Sequence, residues 1–235
     1  MLIQYSAQIK MTENQMKKLL LILTILSFLT SCNGQEKKDK NNSTNISNPK
    51  EHKVFYDNGK IQQVGQFNEN GEPVGKWEKY YENGNIGKRH YFKNGKFEGL
   101  DEEYYENGQL KRIGTNKDDF EDGEWKTYYE DGQLKEVLIY KKGIINGEYK
   151  EYRNGQIISI GNYEKGKEVG EWKAYYENRH LEKILNFKNG ELSGPAKYYY
   201  ENGKLREEGN FENYNRIGEW KKYDEQGNLT KTEKY

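Results

Sequence analysis

The segment Trp125-Lys126-Thr127-Tyr128-Tyr129-Glu130-Asp131-Gly132-Gln133-Leu134-Lys135-Glu136-Val137-Leu138-Ile139-Tyr140 decides the fold of this chain. Both ends are rich in aromatic and β-branched residues, and the middle, Glu-Asp-Gly, has the residue types of a tight turn. It reads as a strand, a turn and a strand. The turn glycine recurs at Gly59, Gly84, Gly108, Gly132, Gly155, Gly203 and Gly227, with Arg179 in the place of an eighth. Successive steps are 25, 24, 24, 23, 24, 24 and 24 residues. Asn-Gly between strand-like segments is a strong hairpin signal, because both residues tolerate positive φ. A second turn is expected at Gly75, Gly99, Gly123, Gly147, Gly170, Gly194 and Gly218.

Eight first turns and seven second turns imply up to sixteen antiparallel strands, each joined to its neighbour in sequence. The fold class expected is all-β: an elongated, single-layer antiparallel β-meander of repeated hairpins, about 24 residues per two strands. At about 4.8 Å per strand the sheet would run roughly 70 Å.

Five residues after each second-turn glycine stands Tyr80, Tyr104, Tyr128, Tyr152, Tyr175, Tyr199 or Tyr223. Two residues after each first-turn position stands an Ile or Leu, from Ile61 to Leu229. Ladders of Tyr and of Leu/Ile across neighbouring hairpins are one means by which a single-layer sheet buries apolar area. A longer period lies beneath this one. Trp77, Trp125, Trp172 and Trp220 occupy every other unit, with Asp101, Tyr149 and Ala196 between them. Gly65, Gly114, Gly161 and Gly209 share the tryptophan units, and His90, Leu138 and Leu185 stand at the matching positions of the others. The indole is therefore expected to lie over a bare glycine, while Leu138 meets Tyr149 and Leu185 meets Ala196. The structural unit becomes a pair of about 48 residues.

Arg179 implies a turn of another type or a weak point, since a side chain at positive φ is strained. Charged residues at the ends, Glu51, His52 and Lys53 in the first strand and Lys231, Glu233 and Lys234 in the last, would discourage edge pairing.

The repeat resembles the bacterial MORN-repeat variant found in the YwqK-type antitoxin family. The likeness rests on the Tyr-Tyr-Glu-Asn-Gly turn, the Leu after it, and the Gly-x-Trp that opens the next strand, over about residues 53–235. The resemblance implies a curved antiparallel sheet acting as an interaction scaffold, and for some relatives an antitoxin role.

The N-terminus carries an address. Met16-Lys17-Lys18 is followed by an apolar run, Leu19 to Thr30, which is too short to span a bilayer and reads as a secretory signal. Leu29-Thr30-Ser31-Cys32 resembles the lipobox of bacterial lipoproteins, and Cys32 is the single cysteine of the chain. The expected organisation is a signal peptide over 1–31, with 1–15 as an upstream extension, then lipidated Cys32 and a disordered tether over 32–50, then the repeat domain over 51–235. Gln35-Glu36-Lys37-Lys38-Asp39 is similar to the export signals of surface lipoproteins in Bacteroidetes. An exported, lipid-anchored protein of the bacterial cell envelope is implied, placed at the outer membrane.

No catalytic chemistry is legible. His52, His90 and His180 fall at unrelated places in their units, form no metal spacing and read as surface substitutions. No nucleophile elbow or metalloprotease motif occurs, and no helix follows the glycines to hold a phosphate. Lys+Arg and Asp+Glu balance at 38 each, which gives no field for nucleic acid. No cofactor or metal is expected, and the chain does not read as an enzyme. The partner classes are another protein, with a toxin as the antitoxin alternative, and a glycan stacked on exposed aromatics near Asp101 and Ala196, where the sheet lacks tryptophan. The membrane is reached through Cys32.

Overall fold

A computed structural model describes residues 49–235. The expected signal peptide, Cys32 and nearly all of the tether lie outside the described residues. Lys50 already pairs with Phe67, so the sheet begins one residue before the expected boundary.

The described secondary structure is nineteen strands in one antiparallel sheet. Every pass of the chain across the sheet bonds to the passes before and after it in sequence, from Lys50–Phe55 against Ile61–Phe67 to Asn215–Tyr223 against Leu229–Lys234. The nineteen strands make the sixteen expected passes, because three passes divide into a short and a long piece. These pairs of pieces are Phe120–Glu121 with Gly123–Tyr128, Ile144–Ile145 with Gly147–Arg153, and Glu191–Leu192 with Gly194–Tyr199.

The glycines expected to mark the second turns do something else. The turns lie four residues or so earlier. The first is a longer loop, Asn68–Glu72, with only Gly71 (78°) at positive φ. The other six of the seven are two-residue loops with both residues at positive φ, among them Asn94 (51°) with Gly95 (77°), Lys142 (52°) with Gly143 (75°), and Asn189 (53°) with Gly190 (86°). This is the turn whose twist matches that of a hairpin. Gly75, Gly170 and Gly218, at φ 66°, 68° and 65°, sit instead inside strands where the ladder bulges. In the first such bulge Val64 pairs with Glu78 and Gln66 with Val74, so Gly65 alone faces Gly75, Lys76 and Trp77. Turn and bulge look alike in sequence because both need a backbone that L side chains rarely adopt.

The bulge folds each indole back over its glycine, as expected. A Cβ added to Gly65, Gly114 or Gly161 would lie 2.1 Å from the ring of Trp77, Trp125 or Trp172, and one on Gly209 would lie 2.3 Å from Trp220. The core is one residue wide. It runs across the strands through the cross-strand pairs His52–Gly65, Trp77–His90, Asp101–Gly114, Trp125–Leu138, Tyr149–Gly161, Trp172–Leu185, Ala196–Gly209 and Trp220–Glu233. The buried hydrophobic residues Trp77, Trp125, Ala196 and Trp220 all lie in this row, and Trp220 is 0% exposed. Aromatic rings from the next row close over the indoles edge-on: Phe67 and Phe92 at 5.0 and 5.8 Å from Trp77, and Tyr163 and Phe187 at 5.2 and 6.0 Å from Trp172. Such contacts add about 0.5–1.5 kcal/mol each beyond their buried area.

Two histidines read as surface substitutions belong to this core. His90 is buried, and the ring of His52 lies 5.4 Å from that of Trp77, so it caps the row rather than blunting an edge. His180 is exposed. At the outer edge Glu51 and Lys53 pair at 2.8 Å.

The opposite face carries Lys126, Lys173 and Lys221, each paired with the glutamate two residues before it at 2.7, 2.8 and 3.5 Å. Exposed pairs of this kind contribute little. Tyr80, Tyr104, Tyr128, Tyr152, Tyr175, Tyr199 and Tyr223 do not stack on one another. Each sits across its turn from Ile86, Leu110, Leu134, Ile157, Leu181, Leu205 or Leu229, so the expected separate ladders are one mixed row.

Candidate functional site

The turns at the Asn-Gly end of the hairpins form a ladder of their own. In Tyr81-Glu82-Asn83-Gly84 the Tyr81 N–H donates to the Asn85 carbonyl at 2.8 Å and the Gly84 N–H to the Tyr81 carbonyl at 2.9 Å. Only the glycine has positive φ, 93°, so the asparagine does not serve the backbone as its sequence suggests. Its side-chain oxygen instead accepts the Asn85 N–H at 2.8 Å, and its amide nitrogen donates to the Glu106 carbonyl of the next turn at 2.8 Å. Tyr81 O–H donates to the Tyr104 carbonyl at 2.8 Å. Successive turns are thus tied by a tyrosine and an asparagine.

The tie repeats along this edge. Tyr105, Tyr176 and Tyr200 donate to the carbonyls of Tyr128, Tyr199 and Tyr223, each at 2.8 Å. Asn107, Asn178 and Asn202 donate to those of Glu130, Glu201 and Glu225 at 3.1, 2.8 and 3.1 Å. The sequence drew attention to Tyr104 and its equivalents, which lend a backbone carbonyl. Where a tyrosine follows one of them, as Tyr81, Tyr105, Tyr129, Tyr176 and Tyr200 do, that tyrosine makes the bond.

The fifth turn departs from this pattern. Gly84, Gly108, Gly132 and Gly203 close turns of the regular kind, but Gly155 belongs to a two-residue loop. Asn154 (50°) and Gly155 (72°) both have positive φ, and Arg153 pairs directly with Gln156. One residue is missing, which is the physical content of the 23-residue step. Arg153 replaces the bonding tyrosine, so no tyrosine hydroxyl reaches the sixth turn. In the fourth turn Asp131 stands where six of the other turns have asparagine and the eighth has Gln226, and a carboxylate cannot donate. Tyr129 still reaches the Tyr152 carbonyl, at 3.2 Å.

Two open clefts flank the shortened turn. One, of about 410 Å³, is lined by Tyr129, Glu130, Asp131, Gln133, Arg153 and Asn154. The other, of about 420 Å³, is lined by Gly155, Gln156, Ile157, Ile160, Tyr175 and Arg179. Arg179 occupies a turn of the regular type, with its N–H on the Tyr176 carbonyl at 2.9 Å, yet its φ is 71°. A residue with a Cβ held there costs about 1 kcal/mol. The sequence raised two alternatives for this position, and the strained regular turn is the one found. Arg153 and Arg179 are exposed on an edge whose other turns present Asp57, Glu82, Glu106, Glu130, Glu201 and Glu225.

The sites expected near Asp101 and Ala196 differ from each other. A cleft of about 340 Å³ does lie at Ala196 and Gly209, with Lys197, Glu208, Glu219 and Lys221 in its lining, on the face away from the indoles. Asp101 is packed inside the row. Asn116 donates to its Oδ2 at 2.9 Å, Lys88 Nζ lies 3.4 Å from its Oδ1, and His90 sits across from it. Burial holds the His90 imidazole below its ordinary value, against the pull of Asp101 and with the repulsion of Lys88 and Lys79. Among the described residues no group of three or more His, Cys, Asp or Glu is placed to hold a metal ion.

A model of the MORN repeat variant matches residues 50–71, 73–94, 97–117, 121–142, 168–189, 192–213 and 216–235. Residues 143–167, which contain the shortened turn, fall between two of these matches. No curated protein matches the chain. Seven matches that together span more than half of its length mean that the chain belongs to the MORN repeat variant family.

Proposed function

We propose that this chain is a non-enzymatic interaction scaffold that binds another protein, held at the bacterial cell envelope by a lipid on Cys32. The observation that carries this reading is the uncovered face of a one-layer sheet. Its Tyr–Leu and Tyr–Ile pairs are only partly buried, and Ile61, Ile157 and Leu229 on the same side are 38%, 36% and 54% exposed. A contiguous, half-exposed apolar band rimmed by charge is a surface that partners cover. The indoles are poor platforms for sugar rings, since Trp77, Trp125 and Trp220 are 5%, 3% and 0% exposed. The glycan alternative is thereby left to the units around Asp101 and Ala196, where the sheet lacks tryptophan.

Crosslinking the full chain in its own cells, followed by affinity capture, should recover one partner protein in amounts that depend on the chain. Recovery of only abundant envelope proteins in background proportion would overturn the scaffold reading. An antitoxin or immunity role is the narrower form of the same reading, and a small toxic domain as the captured partner would select it. Cys32→Ala should release the chain from membranes, and continued retention would remove the anchor.

A further inference from the structure

We infer that the cleft between the fifth and sixth turns is where the partner docks, and that its occupant is an extended segment of that protein carrying a carboxylate side chain beside an aliphatic one. The inference rests on the protein-binding reading above and assigns it a place and a chemistry.

The location follows from the interruption. Between the other described turns of this edge a tyrosine hydroxyl and, in most, an asparagine amide bridge the gap, and the clefts of about 350, 410 and 400 Å³ that stand beside the bridges at the first, fourth and seventh turns have no isoleucine in their lining. Between the fifth and sixth turns the hydroxyl is gone and about 420 Å³ stands open to solvent.

The chemistry follows from the lining. Ile157, Ile160 and Tyr175 make an apolar wall, and Arg179 is the one charged side chain among the lining residues. With the Gln156 amide turned toward it, the amide oxygen lies 3.3 Å from Arg179 Nη2 and 3.2 Å from Nε, while the amide nitrogen reaches the Glu177 carbonyl at 3.2 Å. Two N–H groups of the guanidinium thus converge on a neutral oxygen. A carboxylate presents two oxygens to the same fork with a full opposite charge, so it displaces the amide and forms the stronger, bidentate pair. An aliphatic side chain one or two residues away along an extended segment would then lie on the isoleucine wall.

Strain at Arg179 is a separate observation. Its turn has the same hydrogen bonds as those closed by Gly84, Gly108, Gly132 and Gly203, so the hairpin itself has no use for a side chain at φ 71°. A non-glycine residue in such a conformation points to a role outside the fold.

The test uses the full chain and three capped peptides, acetyl-Gly-Leu-Glu-Ile-Gly-amide and its variants with Gln or Lys in place of Glu. NMR of the isoleucine δ-methyl groups and the arginine Nε–H groups should show saturable shifts at Ile157, Ile160 and Arg179 with the Glu peptide. Binding of the other two should be weaker by about tenfold or more. Arg179→Gly should abolish the preference for Glu while raising the melting temperature, so loss of the site is not confused with loss of the fold. Equal binding of the three peptides, shifts centred on other units, or an unchanged preference in Arg179→Gly would overturn the inference. A captured partner crosslinked elsewhere on the sheet would refute this site and leave the scaffold standing, whereas capture of no specific partner would refute the scaffold itself.

Discussion

The two turn edges of this sheet join the same strands but hold their turns together by different means. At the edge away from the Asn-Gly turns, each loop donates a backbone N–H to a carbonyl beside the loop before it. Gly95 bonds to Pro73 at 3.2 Å, Asp119 to Phe97 at 3.1 Å, Gly143 to Glu121 at 2.8 Å, Gly166 to Ile145 at 2.8 Å, Gly190 to Glu168 at 2.9 Å and Tyr214 to Leu192 at 3.0 Å. A backbone group is present whatever the residue, so this rail has Gly, Asp or Tyr at its donor positions and runs without a gap. The tyrosine edge uses side chains. It can be undone by one deletion and two substitutions, at Arg153 and Asp131, while the strands beneath keep their register. The family's repeat model also fails to match the stretch around that interruption. A rail built from side chains is the one that sequence change can open locally.

The largest effect should come from the row between the edges. Trp125→Ala should cost about 3 kcal/mol by urea denaturation, well beyond Tyr105→Ala, which loses mainly a turn tie. Equal losses would mean that the edge, not the indole row, carries stability. Next, the fifth turn can be rebuilt by Arg153→Tyr with a glutamate inserted before Asn154. Restoring one or two hydrogen bonds should add about 1–2 kcal/mol, and a loss would show that the missing residue is not what parts the turns. Arg179→Gly should add about 1 kcal/mol by removing the strained Cβ, measured in the same way. Tyr176→Phe should remove about 1 kcal/mol, whereas Tyr129→Phe, whose bond is 3.2 Å long, should remove less. Similar losses from both would mean that the rail is as sound at the fifth turn as at the sixth.

The smallest effect concerns pH. Burial lowers the His90 pKa below its ordinary value of 6.5, so the folded chain disfavours the imidazolium relative to the unfolded one. That contribution to stability is complete above about 6.5 and is lost as pH falls through this value toward the folded pKa. His90→Leu, which copies Leu138 and Leu185, should flatten the decline between pH 7.5 and 5.5. An unchanged profile would place His90 outside the core.

The period, the pairing of tryptophan with glycine and the meander were legible because each repeats, and repetition separates signal from accident. What was hidden depends on partners. Gly75 and Gly95 both need positive φ, so only the ladder tells a bulge from a turn. In the Tyr104-Tyr105 pair one residue lends a carbonyl and the other a hydroxyl, a division that only register reveals. His90 has the composition of a surface residue and sits inside because the sheet's middle row passes through it. The short step before Gly155 was in plain view, but its consequence lay in hydrogen bonds that are not made.

Since each pass of the sheet bonds only to the passes on either side of it, no contact has to wait for a distant part of the chain. Such topologies have low contact order and form quickly from local pieces. A segment of about 48 residues carries one indole, its glycine and the rings that cover them, so growth can proceed one such segment at a time from the end that emerges first. The sheet is assembled as a zipper closes, and every new tooth is held by the one before it.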